Sequence, residues 1–253
     1  MGYSNSPLVS YTQFSPNNSG TRTHAIDRIT IHCVVGQASV ETLGRIFART
    51  EKQASSNYGV GYDGRIGLYV PESKRSWCSS SRENDQRAVT IEVASDTTSP
   101  YKVNEAAYAA TLNLVEDICR RNGKKKLIWF ADKNKTLAYE PKEDEMIMSV
   151  HRWFANKSCP GEYLYERHPA IAEEITKRLK DDCEVTLPVI RLNSNSGFVK
   201  SMQILLNKYI KSGLTEDGNC GPLTEAQIKR YQRIVGYPET GVCDAKMWWH
   251  LLK

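Results

Sequence analysis

The sequence predicts a mixed α/β domain, a central β-sheet flanked by helices, followed by a small all-α domain of three helices. Three observations predict it. Short β-branched runs alternate with amphipathic helical stretches as far as about residue 180, the pattern of helices packed on a sheet. The stretch Asp181-Asp-Cys-Glu-Val-Thr-Leu-Pro188 then turns from helical to extended character. Beyond it the apolar residues recur at helical spacing. These shifts divide the chain into a first domain at 1–180, a linker at 181–190 and a second domain at 191–253, and 253 residues exceed what one small core usually serves.

Residues 3–22, rich in Ser, Asn, Pro and Gly, read as an extended arm over the surface. Arg28-Ile-Thr-Ile-His-Cys-Val-Val35 is a core strand ending at Gly36, and alternation places Cys33 on the opposite face from His32. Ser39 to Thr50 reads as a helix through Val40, Leu43, Ile46 and Phe47. Asp63-Gly64 marks a hairpin within Tyr58 to Val70. Ala88-Val-Thr-Ile-Glu-Val-Ala94 is a second core strand, and Glu92 within it needs either a cation partner, an exposed face or a function. Asn104 to Asn122 is a long helix stopped by Asn122-Gly123, Leu127 to Phe130 is a strand, and Asp132 to Glu145 reads as a polar surface loop. Met146 to Val150 leads to His151, and Pro169 to Leu179 closes the domain, with the candidate ligands gathered at one edge of the sheet. In the tail, helices are expected over Phe198 to Leu206, Thr224 to Val235 and Asp244 to Leu252, with a Gly-rich turn between the first two.

Hydrophobic content of 40% and charged content of 25% are those of a folded globular chain. The net charge is +5, and nine basic against five acidic residues after Pro188 put most of that excess in the tail. That is too little to argue for a nucleic-acid partner, and no apolar run reaches membrane-spanning length. The opening residues lack the basic segment and apolar core of a secretory signal, and seven cysteines is an odd number. Both point to synthesis in a reducing cytosol with mostly free thiols.

The chemistry concentrates in Ser149-Val-His-Arg-Trp-Phe-Ala-Asn-Lys-Ser-Cys-Pro-Gly161. Imidazole and thiolate are ligands that zinc favours, and a catalytic zinc takes three protein ligands and leaves one position open. His151 and Cys159 supply two, and His32 is the evident third, although a histidine on a core strand is by itself an ordinary packed residue. A Cys159 nucleophile activated by His151 is the competing reading of the same pair.

With Ile29-Thr-Ile-His32, Ala88-Val-Thr-Ile-Glu92 and His151-x7-Cys159-Pro160, the chain from about Thr23 to Leu179 resembles the zinc-dependent N-acetylmuramoyl-L-alanine amidases. These share a fold with the peptidoglycan recognition proteins and include many phage endolysins. The resemblance implies a zinc ion on His32, His151 and Cys159, with Lys157 facing the scissile carbonyl and Glu92 handling the proton. It implies cleavage between the lactyl group of N-acetylmuramic acid and L-alanine of the stem peptide. Where many relatives read Ser-x-His-Tyr, this chain has Asn57 at the histidine place, and Ser56 where some place a catalytic tyrosine; both become candidate substrate contacts. Trp77-Cys78 stands where relatives often have Trp-His, so Trp77 either stacks on a sugar ring or packs.

The tail resembles a three-helix peptidoglycan-binding module in Gln203-x-Leu205-Leu206, Asp217-Gly218, Gly221-Pro222-x-Thr224, Tyr231-Gln232, Gly241-Val242 and Trp248, with Gly218-x-x-Gly221 weakly echoed by Gly241-x-x-Asp244. Together the two resemblances imply a phage endolysin acting on a Gram-positive wall after release through a holin-type pore or lysis. The alternatives are a bacterial autolysin of the same chemistry and a recognition protein that binds peptidoglycan without cutting it.

Overall fold

The computed structural model describes residues 3–180 and 187–252, and these divide into two compact units, 1–182 and 183–253. Residues 181–186 of the expected linker lie outside the described residues.

The first unit runs β1 (Tyr11–Thr12), β2 (Asn18–Thr21), β3 (Arg28–Cys33), α1 (Val40–Phe47), β4 (Tyr58–Val60), β5 (Ile66–Leu68), β6 (Lys74–Ser76), α2 (Arg82–Arg87), β7 (Ala88–Val93), α3 (Glu105–Arg121), β8 (Lys126–Ile128), α4 (Lys133–Ala138), β9 (Glu145–Ser149), α5 (Gly161–Tyr165) and α6 (His168–Lys180). Among the described residues a seven-stranded sheet is ordered β1-β5-β4-β7-β3-β9-β8, and β2 pairs with β6 beside it. The β4–β5 hairpin is antiparallel and the other pairings in the large sheet are parallel. Central parallel strands are covered on both faces, and every residue of β3 and β9 is buried, the polar Thr30 and Ser149 hydrogen-bonded to each other. Ile29, Ile31, Ile91, Met146 and Met148 are buried to 0% exposure, each worth about 1.5–3 kcal/mol of transfer free energy. The α3 helix lays Leu114, Val115 and Ile118 on this core, capped by the Asn104 side chain at Ala107 N.

Several local expectations change. The arm at residues 3–22 contributes β1 and β2, and Arg22 is a buried guanidinium donating to the carbonyls of Glu72, Asp85 and Gln86. The polar stretch after Asp132 holds α4, whose first turn the Asp132 carboxylate caps at Lys135 N. A further short helix, α2, starts at the Ser81 cap in a charged run with no apolar stripe.

The second unit holds α7 (Gly197–Ile210), α8 (Pro222–Ile234) and α9 (Ala245–Leu251) around Val199, Met202, Leu206, Ile228, Met247 and Trp248. Two buried glutamines clasp its turns in the same way. Gln203 accepts from Gly218 N and donates to Asn219 O; Gln232 accepts from Gly241 N and donates to Val242 O. Gly218 and Gly241 both have positive φ, +80° and +72°, which accounts for the glycine echo in the sequence. Among the described residues no helix is long and apolar enough to cross a membrane.

Candidate metal centre

The parallel ladder between β3 and β7 pairs His32 directly with Glu92, so both side chains rise on one face of neighbouring strands. On the other flank, Thr30 pairs with Ser149. Two residues further along each strand direction come His32 and His151, whose rings meet edge-on with centroids 5.1 Å apart. The chain then turns through residues 154–158, and Arg152 N donates to Cys159 O at 3.1 Å to bring the cysteine back. The candidate ligands therefore gather at the carboxyl ends of the central strands, not at an edge of the sheet.

One ligand atom each from His32, His151 and Cys159 lie within 4.8 Å of one another. The Cys159 Sγ is 3.3 Å from His32 Nδ1. Two ligands at the usual zinc distances, about 2.0–2.1 Å for nitrogen and 2.3 Å for sulfur, stand about 3.5 Å apart in a tetrahedron, so this donor set fits a zinc ion. Burial, then the neighbouring His151, hold the His32 imidazole well below its ordinary pKa; burial, then the Lys157 ammonium, lower His151. Both rings are neutral at pH 7, the state that ligates metal. Ser80 Oγ hydrogen-bonds His151 Nε2 at 2.9 Å and orients that ring.

Cys33 keeps its expected face, in the core with Ile29 and Ile31, and belongs to neither group of candidate metal ligands among the described residues. It lines the cavity with Cys159, and the two thiols share a hydrogen bond. The strand ends at Cys33, which leaves this residue at the end of the core facing Cys159. The hydrogen bond with Cys33, then burial, raise the Cys159 thiol well above its ordinary value, and a cation would reverse that by favouring the thiolate.

The cavity has a volume of about 510 Å³ and is lined by Glu92, Lys157 and Trp77 as well as by His151 and Cys159. Glu92 is half-buried; its Oε2 has no hydrogen-bond partner among the described residues, and burial, then the charge of Cys33, push its carboxyl up to about 8. Lys157 is exposed at the rim, and Trp77 is half-buried with its indole Nε1 donating to Ser19 Oγ at 2.6 Å.

Ser56 and Asn57 are not brought to this cavity, which corrects their assignment as substrate contacts. Both are fully buried. Ser56 Oγ donates to Tyr58 O at 2.7 Å; Asn57 accepts from Arg22 and from Thr90 N and donates to Val70 O. Asn57→Ala would leave Arg22 and Thr90 N unsatisfied in the interior, and is expected to cost about 3 kcal/mol in urea unfolding without weakening substrate affinity. A variant of normal stability with lost affinity would return Asn57 to the substrate.

Asp85 went unnoticed in the sequence, because a carboxylate in the run Arg82-Glu-Asn-Asp-Gln-Arg87 carries no distinguishing signal. It is buried and accepts from Cys78 N, Ser79 N and Ser79 Oγ, which holds the loop that presents Ser80 to His151.

A family model described as N-acetylmuramoyl-L-alanine amidase matches residues 22–162, and one described as a putative peptidoglycan binding domain matches residues 195–251. Solved structures similar to the chain include the catalytic domain of XlyA (15% identity, 65% of this chain and 97% of that one, TM-score 0.47). A mutant endolysin from Bacillus subtilis is 17% identical over 65% of this chain and 97% of its own, with a TM-score of 0.45. A human PGRP in complex with glycosamyl muramyl pentapeptide is 17% identical over 64% and 94%, also with a TM-score of 0.45. No curated protein sequence matches. Since the first family match spans more than half of the 253 residues and the second covers the helical tail, the chain belongs to the N-acetylmuramoyl-L-alanine amidase family and carries a peptidoglycan-binding domain.

Proposed function

We propose that this protein is a catalytically active, zinc-dependent amidase that cuts between the lactyl group of N-acetylmuramic acid and L-alanine of the stem peptide. The observation that carries this reading is the convergence of His32, His151 and Cys159 at one end of a cavity whose wall holds a half-buried carboxylate with one oxygen that has no hydrogen-bond partner among the described residues. A recognition protein has no use for such a carboxylate, whereas hydrolysis needs a proton carrier. The zinc ion would supply Lewis acidity toward a water and toward the scissile carbonyl oxygen.

The residues of the chain would do the rest. His32, His151 and Cys159 hold the ion. Glu92 takes the proton of the attacking water and delivers it to the departing amine, for which a carboxyl raised to about 8 is well matched near neutral pH. Lys157, at the exposed rim, reaches toward the carbonyl oxygen as it becomes an oxyanion, a role worth about a hundredfold in rate or more. Trp77, with its indole edge tied to Ser19, offers a ring face to the glycan strand. The second unit tethers the enzyme to the wall, which we take to be that of a Gram-positive target.

The test is the release of new amino termini from purified Gram-positive peptidoglycan, with and without a zinc chelator. We expect alanine amino termini that the chelator abolishes and zinc restores. A protein that sediments with the wall but frees no termini would be a recognition protein. Cleavage that survives chelation but not mild alkylation would make Cys159 a nucleophile.

A further inference from the structure

The proposed reaction uses Glu92 but leaves its neighbour Cys78 without a role. Cys78 Sγ lies 3.8 Å from Glu92 Oε1, while Glu92 Oε2 is buried and has no partner among the described residues. His32, at 0% exposure, is in the same condition: Nδ1 faces Cys159 Sγ, and Nε2 has no hydrogen-bond partner among the described residues. One ligand atom each from His32, Cys78 and Glu92 lie within 4.8 Å of one another, as do those of His32, His151 and Cys159. Two orphaned polar atoms beside a thiol are costly in a folded interior unless something binds them.

We propose that Cys78 and Glu92, beside His32, form a second and weaker position for a thiophilic divalent cation, adjoining the first, whose occupation takes Glu92 out of the reaction. The donor set selects the ion. Thiolate with carboxylate and imidazole suits zinc or cadmium, and the soft sulfur disfavours magnesium and calcium. Binding forms a metal–Sγ and a metal–carboxylate bond and releases the Cys78 proton to solvent, with no change of oxidation state. The position is weaker because His32 already serves the first ion, which leaves Cys78 and Glu92 as the main ligands. Its effect on rate rests on the role of Glu92 proposed above; the binding itself does not. Zinc would then activate the enzyme at low concentration and inhibit it in excess.

Calorimetric titration of the full metal-free chain with zinc chloride tests this. The expected result is a tight phase followed by a weak one, with the weak phase lost in Cys78→Ala and in Glu92→Gln, and absent when magnesium chloride replaces zinc in the second half of the titration. Excess zinc is expected to slow wall hydrolysis by the wild type and not by Cys78→Ala. A single phase in the wild type, or a weak phase that survives both substitutions, overturns the proposal. The tight phase is read separately through Cys159→Ala, so failure of the second position is distinguishable from failure of the first.

Discussion

Cys159→Ala is expected to lose tight zinc binding and wall hydrolysis together. The Cys159 sulfur is one of three converging donor atoms, and two neutral imidazoles alone would make a weak site. Substitutions at residues that merely support metal ligands commonly cost 10–100-fold in affinity, so removing a ligand is expected to exceed about 100-fold. The side chain is half-buried and small, so the metal-free variant is expected to unfold within about 2 kcal/mol of the metal-free wild type. Zinc content by elemental analysis after gel filtration, beside a urea titration, separates loss of the ion from loss of the fold. Normal zinc content in Cys159→Ala would sink the ligand assignment.

Glu92→Gln is expected to keep the tight zinc and lose about 10²–10⁴-fold in turnover, the usual worth of a positioned proton carrier. Near-normal turnover would mean that the proton travels by another route. The same substitution has a pH signature that does not depend on catalysis. The carboxyl has a folded-state value near 8, raised from 4.5, so its contribution to stability is fully present below about pH 4.5 and is lost as the pH rises through 8. The glutamine variant has no such proton, and in the metal-free protein its stability relative to wild type should grow across that window and level off above it. Urea midpoints at pH 5, 7 and 9 would read this, on the order of a few kcal/mol in total.

The convergence of His32, His151 and Cys159 was legible in the sequence because a histidine and a cysteine flank one short loop and the family pattern then singles out a strand histidine that alone would read as packed. Their meeting follows from strand register, which hydrophobic runs specify well. What could not be read depends on contacts remote in sequence. Ser56 and Asn57 look like pocket residues when measured against a family pattern, yet Arg22, 35 positions before Asn57, draws that amide into the interior. The strands β1 and β2 are two and four residues long and lack apolar alternation, so only their partners β5 and β6 define them. Cys33 followed strand alternation into the core with Ile29 and Ile31, but its approach to Cys159 at the end of the strand was not legible. Asp85 was missed because burial, not its identity, is what distinguishes it from other acidic residues nearby.

The direct pairing of His32 with Glu92 across two parallel central strands has a practical consequence for redesign. The separation of the proposed metal ligand and proton carrier is set by the interstrand spacing of about 4.8 Å common to β-sheets. Trp77 and the segment at residues 52–54, which face the cavity from loops and turns, can then be exchanged to retarget the enzyme while the pairing of His32 with Glu92 is inherited from the sheet.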